Sequence, residues 1–154
     1  MEVEFRPATE DDLELLMAWR SHPELYKYFY AQEGPLQWQE HINWWSKRNN
    51  RRDWVIVVST DGKWRDVGNI NLSKLDTETP EVGVFIGEVT LWGEGIATKA
   101  VEFAVDWLRT RDYSGAKARI LEENKASKQV FERNGFRRSD IARENEYEYV
   151  VYFD

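Results

Sequence analysis

The stretch that most constrains the fold of this chain is Pro80–Leu108, where a strand pattern changes into a helix pattern across one short loop. β-branched residues alternate along Val82–Ile86, which is typical of a strand. Apolar residues recur every three or four positions in Ile96–Leu108, which predicts an amphipathic helix. The loop between them, Trp92–Ala97, holds two glycines. Since the first amides of a helix lack partners and glycine admits close backbone approach, the junction predicts a phosphate-binding loop, with a plain strand-to-helix connection as the alternative.

Two common phosphate-binding loops do not fit this junction. A P-loop requires Gly-Lys followed by Ser or Thr, whereas Ile96 and Ala97 follow Gly95. A Rossmann loop requires a third glycine near Thr98 and a following parallel strand that ends in an acidic residue. Neither feature is evident, so both nucleotide-binding folds are disfavoured.

The junction instead resembles motif A of the GNAT N-acetyltransferase superfamily, [Q/R]-x-x-G-x-[G/A], which follows a strand of the form E-[I/V]-G. Glu81–Gly83 matches the strand start, and Gly95 and Ala97 occupy the two small positions. Trp92 stands where the family most often has Gln or Arg. This departure is familiar in the RimJ/RimL-like branch, where W-G-x-G is common.

A second family signature follows at the expected separation. Asn124 and Ser127, then Phe131, then Gly135 and Phe136 resemble motif B, N-x-x-[S/A]-x-x-x-[Y/F]-x-x-x-G-F. Two signatures in the right order are far more specific than either one. The chain is therefore identified as a member of the GNAT superfamily.

The remaining patterns predict an α/β (α+β) chain in the order β-α-α-β-β-β-α-β-α-β-β, as one domain over residues 1–154. This order resembles the GNAT fold, which implies a mixed, mostly antiparallel twisted sheet of about seven strands flanked by about four helices. Asp61-Gly62 predicts a hairpin turn. The predicted strands lie near 3–6, 54–59, 67–74, 82–86, 116–121, 137–142 and 147–153, and the predicted helices near 10–20, 36–47, 96–108 and 124–134.

Composition limits the classes of partner. The net charge of −7 disfavours nucleic acid and anionic membranes, and favours a cationic partner such as an amine. The sequence has no cysteine, which excludes disulfides, thiolate metal sites and a cysteine nucleophile, so an acetyltransferase built on it transfers the acetyl group directly. His, Asp and Glu residues form no cluster with metal-ligand spacing, so no metal is expected.

Location and assembly are constrained less strongly. Residues 1–4 do not resemble a signal peptide, and no apolar run reaches membrane-spanning length, so a cytoplasmic protein is expected. Aromatic residues are abundant and the last strands are expected to be exposed, which makes a homodimer a reasonable expectation.

The family resemblance implies an acetyl-CoA site. Backbone amides of the glycine loop would surround the pyrophosphate, and the pantetheine arm would pair with the motif A strand where it splays from Ala116–Leu121. A backbone amide at Ile86 or Gly87 would polarise the thioester carbonyl. Asn124 and Ser127 would contact the arm from the other side, although Asn124 is equally explained as a helix N-cap. The expected cofactor-binding residues are Phe85, Ile86, Gly87, Trp92, Gly93, Glu94, Gly95, Ile96, Ala97, Thr98, Asn124 and Ser127.

The catalytic groups are less well defined by sequence. Glu81 and Glu88 are the candidate general bases, acting through a water molecule, although each is also explained as solvated surface in a chain with 28 acidic residues. Many relatives place a Tyr in motif B that protonates the leaving thiolate. Here that position is Phe131, which cannot donate a proton and is best explained by core packing.

The acceptor side is expected in the first two helices and the segment that links them. Trp19–Lys27 resembles the corresponding segment of RimJ/RimL-like enzymes, and residues 30–32 and 39–41 resemble acetyltransferases that act on nucleotide-linked amino sugars. The expected acceptor-binding residues are Tyr30, Gln32, His41 and Trp45, with a structural role as the alternative for His41. The sequence thus predicts an acetyl-CoA-dependent N-acetyltransferase acting on a primary amine, or alternatively a non-catalytic acyl-CoA-binding module of the same fold.

Overall fold

A computed structural model describes residues 1–29, 32 and 34–154 of the chain. Within these residues the chain forms seven strands, five α-helices and two single-turn 3₁₀ helices, at Glu10–Asp12 and Val89–Leu91. None of the helices described there is long and apolar enough to cross a membrane. The strands are β1 (Glu2–Pro7), β2 (Arg52–Thr60), β3 (Lys63–Ser73), β4 (Glu81–Ile86), β5 (Gly115–Leu121), β6 (Arg137–Arg143) and β7 (Glu146–Tyr152), and the helices are α1 (Leu13–Arg20), α2 (Pro23–Tyr26), α3 (Trp38–Ser46), α4 (Ile96–Arg109) and α5 (Lys125–Arg133).

The seven strands form one sheet in the order β1-β2-β3-β4-β5-β7-β6. Neighbouring strands are antiparallel except for β4 and β5, which are parallel. The predicted mixed, mostly antiparallel GNAT sheet is confirmed. The helix count exceeds the expected four because α2 begins at Pro23, which the sequence pattern treats as a break. Proline is favoured in the first turn of a helix, and the His22 imidazole caps this one by accepting from the Glu24 amide at 3.1 Å.

Helices cover both faces of the sheet, and strand β2 shows this most clearly. Trp54, Ile56 and Val58 belong to the larger core cluster, which includes the apolar face of α4. Val55 points to the opposite face, where it joins the cluster that contains Trp19 of α1. Because both faces are covered, β2 is apolar along most of its length instead of alternating.

The predicted Asp61-Gly62 hairpin turn is confirmed, and a helix cap lies near the start of the chain. Asp61 and Gly62 connect β2 to β3 with φ values of 53° and 76°, as a two-residue hairpin turn with positive φ at both positions requires. The Thr9 side chain and the Asp12 carboxylate form a reciprocal capping box at the first 3₁₀ turn, where the Thr9 amide donates to Asp12 at 2.8 Å.

Strands β4 and β5 separate soon after they meet. Within the described residues they pair at one position, Glu81 with Lys117, and the Lys117 amide donates to the Pro80 carbonyl at 2.9 Å. β4 remains paired with β3 over its whole length, and β5 with β7. The sheet therefore opens into a V beside Val82–Ile86, as the family resemblance implies.

Gly87, directly after β4, allows α1 to pack closely on the sheet. A Cβ at this position would overlap the indole ring of Trp19, and the Gly87 amide donates to the Val67 carbonyl at 2.7 Å.

We expect Gly87→Ala to lower the free energy of unfolding by about 1–3 kcal/mol, because the buried ring must shift. Urea denaturation measures this loss. Gly34→Ala is the matched control, since a Cβ at Gly34 meets no atom within 4 Å, and an equal effect in both variants would contradict the packing explanation.

Candidate functional site

A cleft of about 670 Å³ runs along the V between β4 and β5. Its walls come from β4, the loop before α4, the first turns of α4 and α5, and, toward the other end, α1 and α3. The cleft brings together ten of the twelve residues predicted to bind acetyl-CoA; Gly87 and Glu94 do not line it. The ten are Phe85, Ile86, Trp92, Gly93, Gly95, Ile96, Ala97, Thr98, Asn124 and Ser127.

Backbone groups of β4 alternate between β3 and the cleft. The Gly87 amide is directed to β3, where it donates to Val67, whereas the Ile86 carbonyl is directed away from β3 and accepts from Trp92 Nε1 at 2.8 Å. By the alternation of an antiparallel ladder, the amides of Val84 and Ile86 therefore face the cleft. Two amides are predicted to polarise the thioester carbonyl. The Ile86 amide remains available for this role, whereas the Gly87 amide already donates to Val67.

The start of α4 presents unpaired backbone donors to the same cleft. Gly95 adopts a φ of 81° as the N-cap, and the first bond of the helix runs from the Lys99 amide to the Gly95 carbonyl at 3.2 Å. Across the described residues, the amides of Gly95–Thr98 have no backbone acceptor. The Thr98 hydroxyl is buried there and also lacks a partner among these residues. These donors, together with the helix dipole, fit a phosphate group.

The Glu94 side chain does not contribute to this phosphate-binding geometry. It is exposed, and its amide donates back to the Leu91 carbonyl at 3.4 Å. The sequence pattern could not separate Glu94 from its neighbours because the left-handed conformations of Gly93 and Gly95, with φ values of 85° and 81°, decide which amides point outward.

The start of α5 forms the facing wall. Asn124 is the N-cap, and its Oδ1 accepts from the Ser127 amide at 3.2 Å. The cap uses only the oxygen, so the side-chain nitrogen of Asn124 and the hydroxyl of Ser127 remain able to reach into the cleft. Phe131, one turn further on, is 3% exposed and packs edge-to-face on Phe136 at 5.0 Å. The core-packing interpretation of Phe131 is confirmed.

Glu81 lies at the closed end of the V and lines the cleft. Its carboxylate accepts from two cations, with Oε1 3.0 Å from Arg119 Nε and 3.3 Å from Lys74 Nζ. Glu88, the other predicted base, follows β4 and does not line the cleft. The geometry therefore retains Glu81 as a candidate base and does not bring Glu88 to the site.

The predicted acceptor residues are mostly placed elsewhere. Tyr30 lies outside the described residues. Gln32 donates from Nε2 to the carbonyls of Arg20 at 2.6 Å and Gly34 at 2.9 Å, so it ties the loop after α2 to α1. Trp45 faces away from the cleft, with the Arg48 guanidinium 3.3 Å from the centroid of its ring.

His41 is also a structural residue. Its side chain is 2% exposed, and Nε2 lies 2.8 Å from the Leu13 carbonyl. Because a carbonyl can only accept, Nε2 carries the proton, and burial lowers the pKa of the imidazole. His41 joins α3 to α1 and does not line the cleft, as its alternative structural role predicts.

The structure places residues in the cleft that the sequence pattern did not single out. Trp44, the neighbour of Trp45, lines the cleft together with Arg20, Arg51 and Asn71. α3 has nine residues and carries Trp44 and Trp45 in succession, so the sequence pattern does not show which of the two tryptophans points to the cleft. Arg51 directly precedes β2, so its place at the cleft depends on where that strand begins.

Asp53 organises the basic side chains next to Trp44. Its carboxylate, 1% exposed, accepts from Arg48 at 3.0 Å and from Arg51 at 2.9 and 3.1 Å.

We expect Asp53→Asn to lower the free energy of unfolding by about 3 kcal/mol, because both guanidinium groups lose their anionic partner in a partly buried position. The control is Asp106→Asn, which breaks an exposed pair with Arg109 and should change stability by less than about 1 kcal/mol in the same denaturation assay. Similar losses in the two variants would contradict a structural role for Asp53.

Comparison with known proteins identifies the family. Residues 2–137 match the acetyltransferase (GNAT) domain. The chain belongs to the GNAT acetyltransferase family. An uncharacterized protein of Methanocaldococcus jannaschii is 48% identical over 146 residues, which are 95% of this chain. The chain spans 30% of the length of that curated relative.

Solved structures share this fold. A domain from Methanocaldococcus jannaschii superposes with a TM-score of 0.97 at 46% identity, covering 99% of both chains. Spermidine N-acetyltransferase from Vibrio cholerae, in complex with CoA and spermine, superposes with a TM-score of 0.85 at 16% identity, covering 97% of this chain and 95% of that one. At this lower identity, the similarity concerns the fold.

Proposed function

We propose that the chain is an acetyl-CoA-dependent N-acetyltransferase that moves the acetyl group directly to a primary amine. One observation carries this proposal. A strand edge with two free amides, Val84 and Ile86, and a helix start with four unpaired amides, Gly95–Thr98, line the same cleft. An extended arm that ends in a pyrophosphate matches both features.

In this proposal the pyrophosphate of acetyl-CoA binds to the amides of Gly95–Thr98, where the helix dipole favours negative charge. The pantetheine arm adds to the edge of β4 beside the Ile86 amide, as a short extra strand would. Asn124 and Ser127 contact the arm from the facing wall. Trp92 is held at the start of the loop by its hydrogen bond to the Ile86 carbonyl.

The transfer itself requires two events at the acyl carbon and one at the amine nitrogen. The amine nitrogen attacks the thioester carbonyl and forms the C–N bond, the C–S bond breaks, and the amine loses one proton. The Ile86 amide donates to the oxygen on which charge develops. Because the sequence has no cysteine, no acyl-cysteine intermediate forms on this chain.

Glu81 receives the proton of the amine through a chain of water molecules in the cleft. It lines the cleft at the closed end of the V, five residues along β4 from the Ile86 amide, so its carboxylate does not contact the amine directly. The thiolate leaves without a proton donor at Phe131, which a thiol pKa of about 8.5 makes feasible near neutral pH. Glu88 lies away from the cleft and takes no part.

The acceptor belongs to the RimJ/RimL-like range of substrates: a protein N-terminal α-amine or the amine of a small molecule such as an amino sugar. The W-G-x-G loop at Trp92 and the Trp19–Lys27 segment support this branch. A weakly basic amine also suits the site. An α-amine titrates near about 8 and a lysine amine near about 10.4, so the former needs less help from a base.

A non-catalytic acyl-CoA-binding module is the second candidate. Two observations favour it: Phe131 replaces the proton donor, and Lys74 and Arg119 already occupy the carboxylate of Glu81. Both candidates bind CoA, and only the first releases free thiol from acetyl-CoA when an amine is present.

CoA binding is tested by Gly95→Asp. We expect the affinity to fall at least about tenfold in calorimetric titration, because a carboxylate would replace open space beside the unpaired amides and because φ at this position is positive. Gly62→Asp is the matched control, since Gly62 has a φ of 76° and no atom within 4 Å of its Cβ position, but lies in a hairpin turn. Equal affinities in the two variants would exclude this loop as the pyrophosphate site.

Turnover is tested by the release of CoA thiol across a panel of α-amines, amino sugars and polyamines. We expect Glu81→Gln to lower kcat/KM by about 10²-fold, as loss of a general base does, with CoA affinity unchanged. Glu88→Gln should retain full activity. CoA binding without thiol release from any amine would favour the binding module, and equal activity of the two variants would remove Glu81 as the base.

A further inference from the structure

A second cavity adjoins the closed end of the V, and its charge is opposite to that of the whole chain. Trp44, Arg51, Glu81 and Arg119 line both cavities. Although the chain carries a net charge of −7, the titratable residues that line the second cavity are five basic and two acidic. They are Lys47, Arg48, Arg51, Lys74 and Arg119, with Asp76 and Glu81.

Trp44 holds two guanidinium groups at the junction of the cavities. The Arg20 and Arg51 guanidinium carbons lie 5.3 and 5.1 Å from the centroid of its ring. His41 stacks on the same indole at 5.5 Å and 15°. The indole is thus occupied by side chains of the protein, and it acts as a platform for the arginines.

The carboxylates of this region do not balance its cations. Asp53 is shared by Arg48 and Arg51, and Glu81 is shared by Lys74 and Arg119.

Arg20 adds a further positive charge at the cleft. The side-chain contacts of its guanidinium within the described residues are the rings of Phe29 and Trp44. Burial and the nearby Arg51 charge lower its pKa, while Asp53 raises it. An excess of guanidinium groups is therefore held in place without enough protein anions to neutralise it.

Resting on the proposed acetyl transfer, we propose that the basic cluster, formed by Arg20 and Arg51 on Trp44 and by Lys74 and Arg119 on Glu81, binds a phosphoryl group of the acceptor. The substrate class is a small amine that carries phosphate. A guanidinium group can bind two oxygens of one phosphate at once. A site with several excess cations suits a doubly charged phosphate better than a singly charged carboxylate. A polyamine would meet repulsion at the same place.

The phosphates of CoA bind at the opposite end of β4. The proposed pyrophosphate loop lies beyond Ile86, whereas the cluster surrounds Glu81. Six residues of strand separate these ends by about 17 Å. The second cavity is lined by the α3–β2 loop, the end of β3 and Arg119 of β5, and by no residue of the Trp92–Thr98 loop.

The experiment uses inorganic pyrophosphate as the probe and calorimetric titration as the readout, with CoA present at saturation so that the pyrophosphate loop is filled. We expect wild-type protein to bind the probe, and Arg51→Gln and Lys74→Gln each to weaken binding about tenfold, because each removes a charge-assisted hydrogen bond. Lys74 is exposed, so its variant tests the site even if Arg51→Gln, which removes a partner of buried Asp53, folds poorly.

Lys63→Gln is the matched control. Lys63 is an exposed lysine at the start of β3, whereas Lys74 directly follows the end of that strand, and Lys63 lines neither cavity. Binding in this variant should stay within about twofold of wild type. The proposal is overturned if wild-type protein does not bind pyrophosphate, if all variants bind it equally, or if spermine binds and Lys74→Gln strengthens its binding. Thiol release plays no part in this readout, so a failure of acetyl transfer and a failure of the phosphoryl site are seen separately.

Discussion

The single pairing between Glu81 and Lys117 governs the rest of the structure. Parallel strands normally share a ladder along their length, but here each strand is held by its outer neighbour, β4 by β3 and β5 by β7. The cores on the two faces of the sheet keep both strands in place, so the V is built into the packing. The amides of Val84 and Ile86 therefore stay free on an interior strand, which is a rare position for unpaired donors.

The same opening separates two electrostatic environments. At one end, Gly95–Thr98 presents backbone donors and the positive end of a helix dipole. At the other end, cationic side chains exceed the carboxylates of Asp53 and Glu81. The total charge of −7 does not describe this region, because the titratable residues that line the second cavity are five basic and two acidic. Local charge at a cleft decides which ligand enters.

The parts of the structure that sequence could predict are those that depend on neighbours along the chain. The Asp61-Gly62 turn, the Asn124 cap and the glycine loop before α4 all follow from backbone preferences within a few residues. The acceptor side depends on packing between distant elements. Whether Trp44 or Trp45 faces the cleft is decided by how α3 lies on α1, and His41 is used in that contact instead of in the site. Periodicity cannot resolve such a choice in a short helix with consecutive aromatic residues.

In the basic cluster, the concentration of positive charge opposes the stability of the fold. Like charges held close together destabilise a fold, and a desolvated guanidinium such as that of Arg20 adds to the penalty. A purely structural site would be expected to surround Trp44 with apolar side chains, as the α4 face of the sheet does. Instead, His41, Trp44 and Asp53 are arranged to support arginines beside a cleft. Proteins retain conflicts of this kind at functional sites, where binding of a ligand of opposite charge offsets the repulsion.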